Sequence, residues 1–415
     1  MIDFIKYANH ILFILFSIVY SYQIFYILIR FIKKLPQHHD QSLNKYAVLI
    51  AARNEENVIG DLIDSIKDQS YQSELIDVYV IADNCNDKTA AIATYHGAKI
   101  IERTNKIHIG KGYALDYALK HIDLKLGIDH YDGYIVFDAD NLLDKNYVYE
   151  LNKVFNQGYD IVTSYRNSKN FATNWISAGY ATWFLRESKY LNGSRMLCNV
   201  NCAISGTGFV VSSEVLQQDK GWKYHLLTED IEFTIAKTIE GRKIGYCEKA
   251  IIYDEQPIDF STSWHQRMRW SKGFYQVINT YGLKLVSALY KKKNFQYYDM
   301  FATIAPATIL TIMLLILNVS SLSYAFVLQK PLMFNEALIE FIKTITNIYL
   351  SFYFVGLLTI LSEWRMINAS NIKKIYYSFT FPLFMFTYAP ISVIALLTKV
   401  EWKPIKHGYK IQAKN

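Results

Sequence analysis

Two acidic side chains at the end of an apolar run are the first candidates for chemistry. Asp138 and Asp140 close the run YIVFDAD at residues 134–140. Alternate side chains of an extended segment point the same way, so the spacing predicts that both carboxylates approach one cation. Their hard oxygen atoms suit Mg²⁺ or Mn²⁺, which typically also bind substrate phosphates. The alternative is a solvated turn that binds nothing.

A second acidic motif, TED at residues 228–230, precedes IEFTIAKTIE, where isoleucines recur every four residues and predict a helix. In one interpretation Thr228 caps that helix, and the two acids are stabilised by its N-terminal dipole. In the other, Asp230 is a general base that takes a proton from an attacking hydroxyl, a role typically worth about 10²–10⁴-fold in rate. The motif alone leaves both interpretations open.

The stretch WHQRMRWSKG at 264–273 concentrates hydrogen-bond donors and indole rings. Arg269 can donate two hydrogen bonds to a phosphate at once. The Trp270 ring suits the apolar face of a sugar, and Gln266 offers both a donor and an acceptor. The alternative is an interfacial amphipathic helix with its charged groups at the lipid headgroups. Lys111, in GKG at 110–112, adds a charge to a predicted helix N-terminus that favours anions.

A folded domain must position these side chains, and the sequence between residues 45 and 260 predicts one. Strand-like runs alternate there with helical patterns, which predicts a mainly parallel, doubly wound α/β sheet. Ligands bind beyond the carboxyl ends of the strands in such sheets. Asn54 and Glu55 follow the first run, Asp83 ends the second, and the Asp138 pair ends the fourth. The sequence therefore predicts that these groups meet at one rim.

Four uncharged stretches are long enough to cross a bilayer as helices, which takes about 20 residues. They are residues 11–29, 301–328, 344–361 and 375–397, in a chain of 415 residues that is 51% hydrophobic. Pro382 and Pro390 interrupt the last stretch. Three full C-terminal spans would place the lysine-rich tail outside, against the rule that Lys and Arg face the cytoplasm. We therefore expect an N-terminal span, two C-terminal spans and a re-entrant or interfacial segment at 375–397.

Positive side chains set the predicted orientation, since Lys and Arg are enriched on the cytoplasmic side of membrane proteins. Arg30, Lys33 and Lys34 follow the first span, and lysines 291–293 precede the second, so the region between them is predicted to be cytoplasmic. The net charge of +7 agrees with contact to anionic lipid. No motif supports nucleic acid as a partner. The four cysteines fall in this region, where disulfides are not expected.

The order of the motifs is more specific than any one of them. Asn54-Glu55, Asp83, Lys111, Asp138-x-Asp140, Thr228-Glu229-Asp230 and Gln266-x-x-Arg269-Trp270 follow one another and end just before the membrane spans. Together they resemble the family 2 inverting glycosyltransferases, most of all the membrane-embedded branch with the cellulose, hyaluronan and poly-N-acetylglucosamine synthases. The resemblance implies a GT-A fold on the cytoplasmic face of the cell membrane, a UDP-sugar donor and a divalent cation, Mg²⁺ or Mn²⁺.

The resemblance also implies a role for each matched position. Asp230 would be the catalytic base, and Asp138 and Asp140 would hold the cation against the diphosphate. The remaining matched residues would bind substrate. They are Asn54, Glu55 and Asp83 around the uridine, Lys111 near the diphosphate, Gln266, Arg269 and Trp270 over the diphosphate and the acceptor sugar, and Glu229 without a narrower assignment.

Two positions depart from the pattern of the family. Ala82-Asp83-Asn84 stands where the family often has Asp-Asp-Gly, so one carboxylate is missing from the ribose side. Ala-Arg-Asn-Glu stands at 52–55, where many relatives have an aromatic residue or His before the Asn. We therefore expect nucleotide binding at these positions to differ from that of the relatives.

The resemblance divides the chain into four predicted parts. They are a transmembrane anchor at 1–34, a cytoplasmic GT-A catalytic domain with interfacial helices at 35–295, a transmembrane region at 296–400 and a basic cytoplasmic tail at 401–415.

Three functions are consistent with the sequence. The leading hypothesis is an enzyme that extends a β-linked polysaccharide from a UDP-sugar. The alternative is transfer of one sugar to a lipid acceptor, diacylglycerol or polyprenyl phosphate, and the third is a non-catalytic membrane scaffold or polysaccharide receptor. The expected partners are a saccharide or lipid acceptor and membrane lipids. If the spans are too few for a polymer channel, an accessory membrane subunit or an oligomer is also expected.

Overall fold

The computed structural model describes residues 2–38, 42–401 and 407–408 of the chain. Within them, a central sheet is built from β1 (Tyr46–Ala52), β2 (Ile76–Asp83), β3 (Lys99–Arg103), β4 (Gly133–Asp138), β5 (Leu142–Leu143), β6 (Ile161–Ser168), β7 (Phe209–Ser212) and β8 (Ile244–Asp254). The strands lie in the order β3-β2-β1-β4-β7-β6-β8-β5. Because the chain order reverses between β1 and β4, a crevice forms there at the carboxyl ends of the strands.

The half of the sheet next to this crevice is parallel. β1 pairs in parallel with β2 and β4, and β2 pairs in parallel with β3. The register sets Ala52 opposite Ala82 and Ala51 opposite Asp138, so the polar residues that follow β1, β2 and β4 share one rim. β7 runs antiparallel to β4 and β6. The mainly parallel α/β sheet predicted from the sequence is confirmed, with an antiparallel β7 inserted in it.

The helices pack on the sheet or lead away from it towards the membrane region. They are α1 (Ile2–Ile32), α2 (Ile59–Lys67), α3 (Thr89–Tyr95), α4 (Lys111–Leu126), α5 (Tyr147–Phe155), α6 (Trp175–Arg186), α7 (Gly193–Leu197), α8 (Ser213–Asp219), α9 (Glu229–Glu240), α10 (Phe260–Lys292), α11 (Phe295–Ile304), α12 (Pro306–Val327), α13 (Pro331–Ser362), α14 (Asn371–Phe386) and α15 (Tyr388–Leu397).

Local sequence accounts for the helices nearest the rim. The apolar spacing of α2 buries Leu62, Ile63 and Ile66 against the sheet. Asn174 caps α6 by accepting hydrogen bonds from two backbone N–H groups of its first turn. α6 runs on into α7 through a π-helical segment, Glu187–Asn192. Such segments are rare and often lie at functional sites.

Three helical segments are long and apolar enough to cross a membrane, judged by length and composition over the described residues. They are Tyr7–Ile32, Pro331–Ser362 and Asn371–Leu397. α12 contributes a shorter apolar stretch, Ile312–Val327, where the sequence predicted a span at 301–328. Pro382 lies inside α14, and the break comes instead at Thr387, before α15. Of the predicted tail at 401–415, the described residues are Glu401, His407 and Gly408.

A buried carboxylate joins the first helix to two distant parts of the chain. Asp299 of α11 accepts hydrogen bonds from Arg195 Nε at 2.7 Å and from Arg195 Nη2 at 2.9 Å. The hydroxyls of Tyr22 and Tyr26 on α1 donate to the same carboxylate at 3.0 and 2.9 Å. The side chains of Arg195 and Asp299 are 1% and 0% exposed. This pair therefore fixes α1 and α11 against α7.

Candidate active site

A cavity of about 590 Å³ begins at the rim where β1, β2 and β4 end and extends between the helices beyond it. Its lining includes all but one of the residues that the sequence analysis selected. Those that line it are Glu55, Asp83, Lys111, Asp138, Asp140, Glu229, Asp230, Gln266, Arg269 and Trp270. The topology thus collects side chains from positions 55 to 270 around one space.

Asn54 is the selected residue outside this lining. Its side chain is exposed, and its backbone is left-handed, with a φ of 58°. Its amide oxygen accepts a hydrogen bond from the N–H of Asn86 at 2.9 Å. Asn54 therefore holds the loop after β2 against the turn after β1, and its contact with a uridine stays a prediction. Asp83, in contrast, lines the cavity, and its Oδ1 accepts a hydrogen bond from Arg103 Nη1 at 2.5 Å.

Asp138 and Asp140 reach the cavity by a different route from the predicted one. β4 ends at Asp138, and the N–H of Asn141 donates to the Asp138 carbonyl at 3.1 Å, which closes a turn. The expectation that both carboxylates alternate along one extended strand is therefore wrong, although both line the cavity. Lys111 Nζ donates to the Asp138 carboxylate at 2.5 Å and to the Gly206 carbonyl at 2.8 Å.

Asp140 is a buried carboxyl group that lies close to the carboxyl groups of Asp254 and Asp138. Burial raises its pKa well above the usual value, the negative charges of Asp254 and Asp138 raise it further, and His407 acts in the opposite direction. The N–H of Glu255 donates to its Oδ2 at 3.2 Å. A site with this many adjacent carboxylates stabilises a bound positive charge.

His407 supplies one such charge from the far end of the chain. Its Nδ1 lies 3.0 Å from Glu55 Oε2, and its Nε2 lies 3.9 Å from Asp140 Oδ2. Burial lowers the pKa of this imidazole, but the charges of Asp140, Glu55 and Glu255 outweigh that effect and raise it to about 10. His407 is therefore protonated at neutral pH and donates to Glu55. His407 is not among the site residues predicted from the sequence.

Glu229 and Asp230 stand at the start of α9 and face the cavity. Burial raises the pKa of both carboxyl groups, and the charge of Asp230 raises that of Glu229 further. Lys111 and Arg269 lower both. Thr228 occupies the cap position, but its buried hydroxyl makes no hydrogen bond to any described residue. The interpretation that Thr228 caps this helix through its side chain is therefore wrong.

The first turns of α10 form the cover of the cavity. Arg269 Nη1 donates to the Leu227 carbonyl at 2.9 Å, just before the acidic pair. The Trp270 ring packs edge-on against Tyr180, with centroids 5.6 Å apart. The buried Oε1 of Gln266 has no hydrogen-bond partner among the described residues. An acceptor atom without a partner costs stability unless a ligand or water satisfies it.

Residues 44–273, more than half of the chain, match the family described as "Glycosyltransferase like family 2". The chain belongs to glycosyltransferase family 2. This finding confirms the family named from the order of the motifs, and it identifies the chain as a glycosyltransferase with a GT-A-like fold.

Curated relatives of this glycosyltransferase carry several functions. A probable glycosyltransferase of Bacillus subtilis, YdaM, is 26% identical over 65% of this chain and 64% of its own length. The β-monoglucosyldiacylglycerol synthase of Synechocystis is 26% identical over 55% of this chain and 47% of its own length. The poly-β-1,6-N-acetyl-D-glucosamine synthase of Staphylococcus aureus is 24% identical over 64% and 62%. The match thus spans about half to two-thirds of each relative.

A solved structure supports the fold over nearly the whole chain. The mannosyltransferase PcManGT of Pyrobaculum calidifontis, in complex with GDP-Man and Mn²⁺, covers 93% of this chain and 98% of its own. The TM-score is 0.54 and the sequence identity is 13%. At this identity the likeness concerns the fold alone.

Several charged residues of the glycosyltransferase cavity escaped the sequence analysis. Arg166, in β6, donates through Nε to Asp254, at the end of β8, at 2.9 Å. Glu187, in the π-helical segment, faces the cavity and accepts a hydrogen bond from Ser205 at 3.3 Å. Asp254 carries the signal that found Asp138, a charged side chain at the end of an apolar strand, whereas Arg166 lies inside the polar second half of β6. Glu187 carries no comparable signal.

The carboxylates of the rim fit a divalent cation. Asp138 and Asp140 offer hard oxygen atoms. Burial and then the charges of Asp254 and Asp138 raise the pKa of Asp140, and a bound cation would offset both effects. No group of three or more His, Cys, Asp or Glu side chains among the described residues forms a ready-made metal site.

Proposed function

We propose that this protein is a membrane-bound inverting glycosyltransferase that moves a hexose from a UDP-sugar to a hydroxyl group presented at the membrane. One observation carries the proposal: a single cavity joins the carboxylate-rich rim of the sheet, Asp230 and the helices of the apolar region. A donor at the rim and an acceptor from the membrane would therefore meet beside Asp230.

In this proposal Asp230 accepts the proton of the attacking hydroxyl. The oxygen of that hydroxyl bonds to the anomeric carbon, the bond from that carbon to the diphosphate breaks, and UDP leaves with the electron pair. Attack opposite the leaving group inverts the anomeric centre. The raised pKa of Asp230 favours this role, because a stronger base takes a proton more readily near neutral pH.

The other side chains would bind and orient the donor. Asp138 and Asp140 would hold the divalent cation, which supplies positive charge against the diphosphate when bound. Lys111, already 2.5 Å from Asp138, would add charge on the same side. Arg269 would donate to phosphate oxygens, and Gln266 would use its unpartnered amide oxygen towards a hydroxyl of a sugar. Glu55 and Asp83, which line the cavity, would lie around the uridine of the donor.

Two acceptors are represented among the relatives, a growing polysaccharide and diacylglycerol, judged by their names. The sequence hypothesis of a polysaccharide synthase and the alternative of a lipid acceptor both stay predictions. Three candidate spans and a cavity that includes Asp230 support an acceptor delivered from the membrane in either case. A cytoplasmic position of residues 35–295 is part of the proposal and rests on the lysine and arginine pattern.

The test uses the full chain in lipid nanodiscs with Mg²⁺ or Mn²⁺. UDP release is measured with UDP-glucose, UDP-N-acetylglucosamine and UDP-galactose, with GDP-mannose as the comparison donor. We expect release from at least one UDP-sugar, abolished by EDTA and restored by the cation. Release of GDP alone would replace the proposed donor class, and no release from any donor would favour the scaffold or receptor hypothesis.

A further inference from the structure

The membrane half of the cavity has a distinct lining. It begins beyond Asp230 and Trp270 and is bordered by side chains from α1, α12, α13, α14 and α15. Phe16, Ile312, Ile345, Ile348 and Phe386 represent these walls. No charged side chain from these five helices lies among the described lining residues. The charged residues of the cavity belong to its other half, at the rim of the sheet.

Three polar side chains of this half already have partners, whereas the Tyr388 hydroxyl on α15 makes no hydrogen bond to a described residue. Asn318 and Asn9 exchange two hydrogen bonds at 3.0 and 2.9 Å. Thr344 donates to the Glu340 carbonyl at 2.9 Å, and Ser351 donates to its own helix at 2.8 Å. Their donors are therefore satisfied within the protein. A sugar chain that passed here would lose the hydrogen bonds its hydroxyls make to water, whereas a hydrocarbon chain would lose none.

The head of the cavity has the opposite character. Asp230, Glu229 and Glu187 bring three carboxyl groups to it. Arg195 also lines it but is paired with Asp299, and Arg166 is paired with Asp254. Lys111 is paired with Asp138, and Arg269, which donates to the Leu227 carbonyl, is assigned to the donor phosphates in the proposed function. Burial raises the pKa of Glu187, and the charge of Asp230 raises it too, while Arg166 and Arg195 lower it. An uncharged, hydroxylated head suits this end better than a second anion next to Asp230.

We propose that the acceptor is a neutral lipid with a free hydroxyl on its headgroup, bound with its acyl chains between α12, α13 and α15 and its hydroxyl at Asp230. The inference rests on the proposed function and narrows its acceptor to one class. The cavity itself carries it, because one space runs from a candidate base to a lining that is largely apolar and holds no charged side chain from these five helices among the described residues.

The experiment uses the full chain in phosphatidylcholine nanodiscs with the donor that releases UDP. The probe acceptor is 1,2-dioleoylglycerol, compared with dibutyrylglycerol, which has the same head and short chains. Ile345→Trp fills the apolar half from α13. Ile342→Trp is the matched control, one turn earlier on the same helix, outside the lining and 54% exposed. Glycosylated lipid is counted after chloroform extraction, and UDP affinity reports that the donor site is folded.

We expect a lower KM for dioleoylglycerol than for dibutyrylglycerol, by tenfold or more. We expect Ile345→Trp to cut transfer to dioleoylglycerol at least tenfold, while Ile342→Trp matches the unsubstituted protein. Ile348→Trp repeats the test if Ile345→Trp loses UDP binding.

UDP release with a product that stays out of chloroform as an insoluble polymer would overturn the lipid inference and leave the proposed function standing. Equal transfer by the two Trp variants would overturn it as well. No UDP release from any donor would instead refute the proposed function.

Discussion

At the scale of single residues, Asp230 owes its proton affinity to opposing effects. Burial raises its pKa, while Arg269 and Lys111, two residues with proposed roles in donor binding, lower it. Its oxygen also has room on one side, because Gly206 carries no side chain; a Cβ there would lie 3.6 Å from Asp230 Oδ2. The proposed base and the proposed donor site are therefore coupled electrostatically.

The role of Asp230 as the base can be tested by one substitution. Asp230→Asn keeps the shape of the side chain but cannot accept the proton, so we expect kcat to fall by about 10²–10⁴-fold with little change in UDP affinity. UDP release and calorimetric UDP binding measure the two quantities. Asp61→Asn, an exposed acid in the first turn of α2, is the control. A kcat within threefold of the control would exclude Asp230 as the base.

The electrostatic coupling should also appear in the dependence of activity on pH. Because burial raises the pKa of Asp230, activity should be lost as the pH falls through a value above that of an ordinary aspartate. Arg269→Gln removes a positive charge that lowers this pKa, so the acidic limb of the kcat/KM profile should move to higher pH. Arg269→Lys keeps the charge and should leave the limb near its original position. An acidic limb that stays fixed in both variants would contradict the coupling.

At the scale of elements, α10 connects the active site to the membrane region. The helix is 33 residues long, and Arg269 near its start binds the Leu227 carbonyl beside the acidic pair. In the same stretch Arg267 points the other way, is 0% exposed and donates to the Phe384 carbonyl of α14 at 3.1 Å. One helix thus contacts both the candidate site and α14. The two sequence interpretations of 264–273, a substrate-binding segment and an interfacial helix, both stay predictions.

The closeness of α10 to the acidic motif gives a prediction with an internal control. A Cβ on Gly273 would lie 2.5 Å from Thr228 side-chain atoms, so Gly273→Ala must push α10 or Thr228 away. Displacement of Arg269 relative to Asp230 should lower kcat by about ten- to a hundredfold. Gly282→Ala, on the same helix, meets only Ile278 at 3.6 Å and should be neutral or slightly stabilising. Equal activities in the two variants would show that α10 need not lie this close.

Elements also mark the limit of what the sequence could predict. Asp83 and Asp138 were found because charge at the end of an apolar strand is a local signal, and the parallel sheet then placed both at one rim. The turn at Asp138 was missed because one backbone hydrogen bond to Asn141, rather than the strand pattern, decides where β4 ends. Glu187 and His407 lie in the cavity only through contacts across the fold, so no local pattern could identify them.

At the scale of the whole molecule, the contact of Arg195 with Asp299 joins α11, just before the apolar helix α12, to α7 beside the cavity. Asp299→Asn removes the charge that compensates a buried guanidinium, which typically costs about 3–5 kcal/mol of stability. We expect a clear drop in the thermal unfolding midpoint in detergent. Asp68→Asn, whose side chain is 78% exposed, should leave the midpoint unchanged. A midpoint for Asp299→Asn equal to that of Asp68→Asn would mean that the pair contributes nothing to stability.

The same carboxylate has a consequence for how the protein is made. Tyr22 and Tyr26 leave the ribosome early, yet they bond to a residue 277 and 273 positions later in the chain. Arg195, too, awaits a partner 104 positions downstream. Arg195 has no carboxylate partner at this position until α11 has been translated. A fragment that ends before α11 lacks Asp299, so we expect it to fold less stably than the full chain.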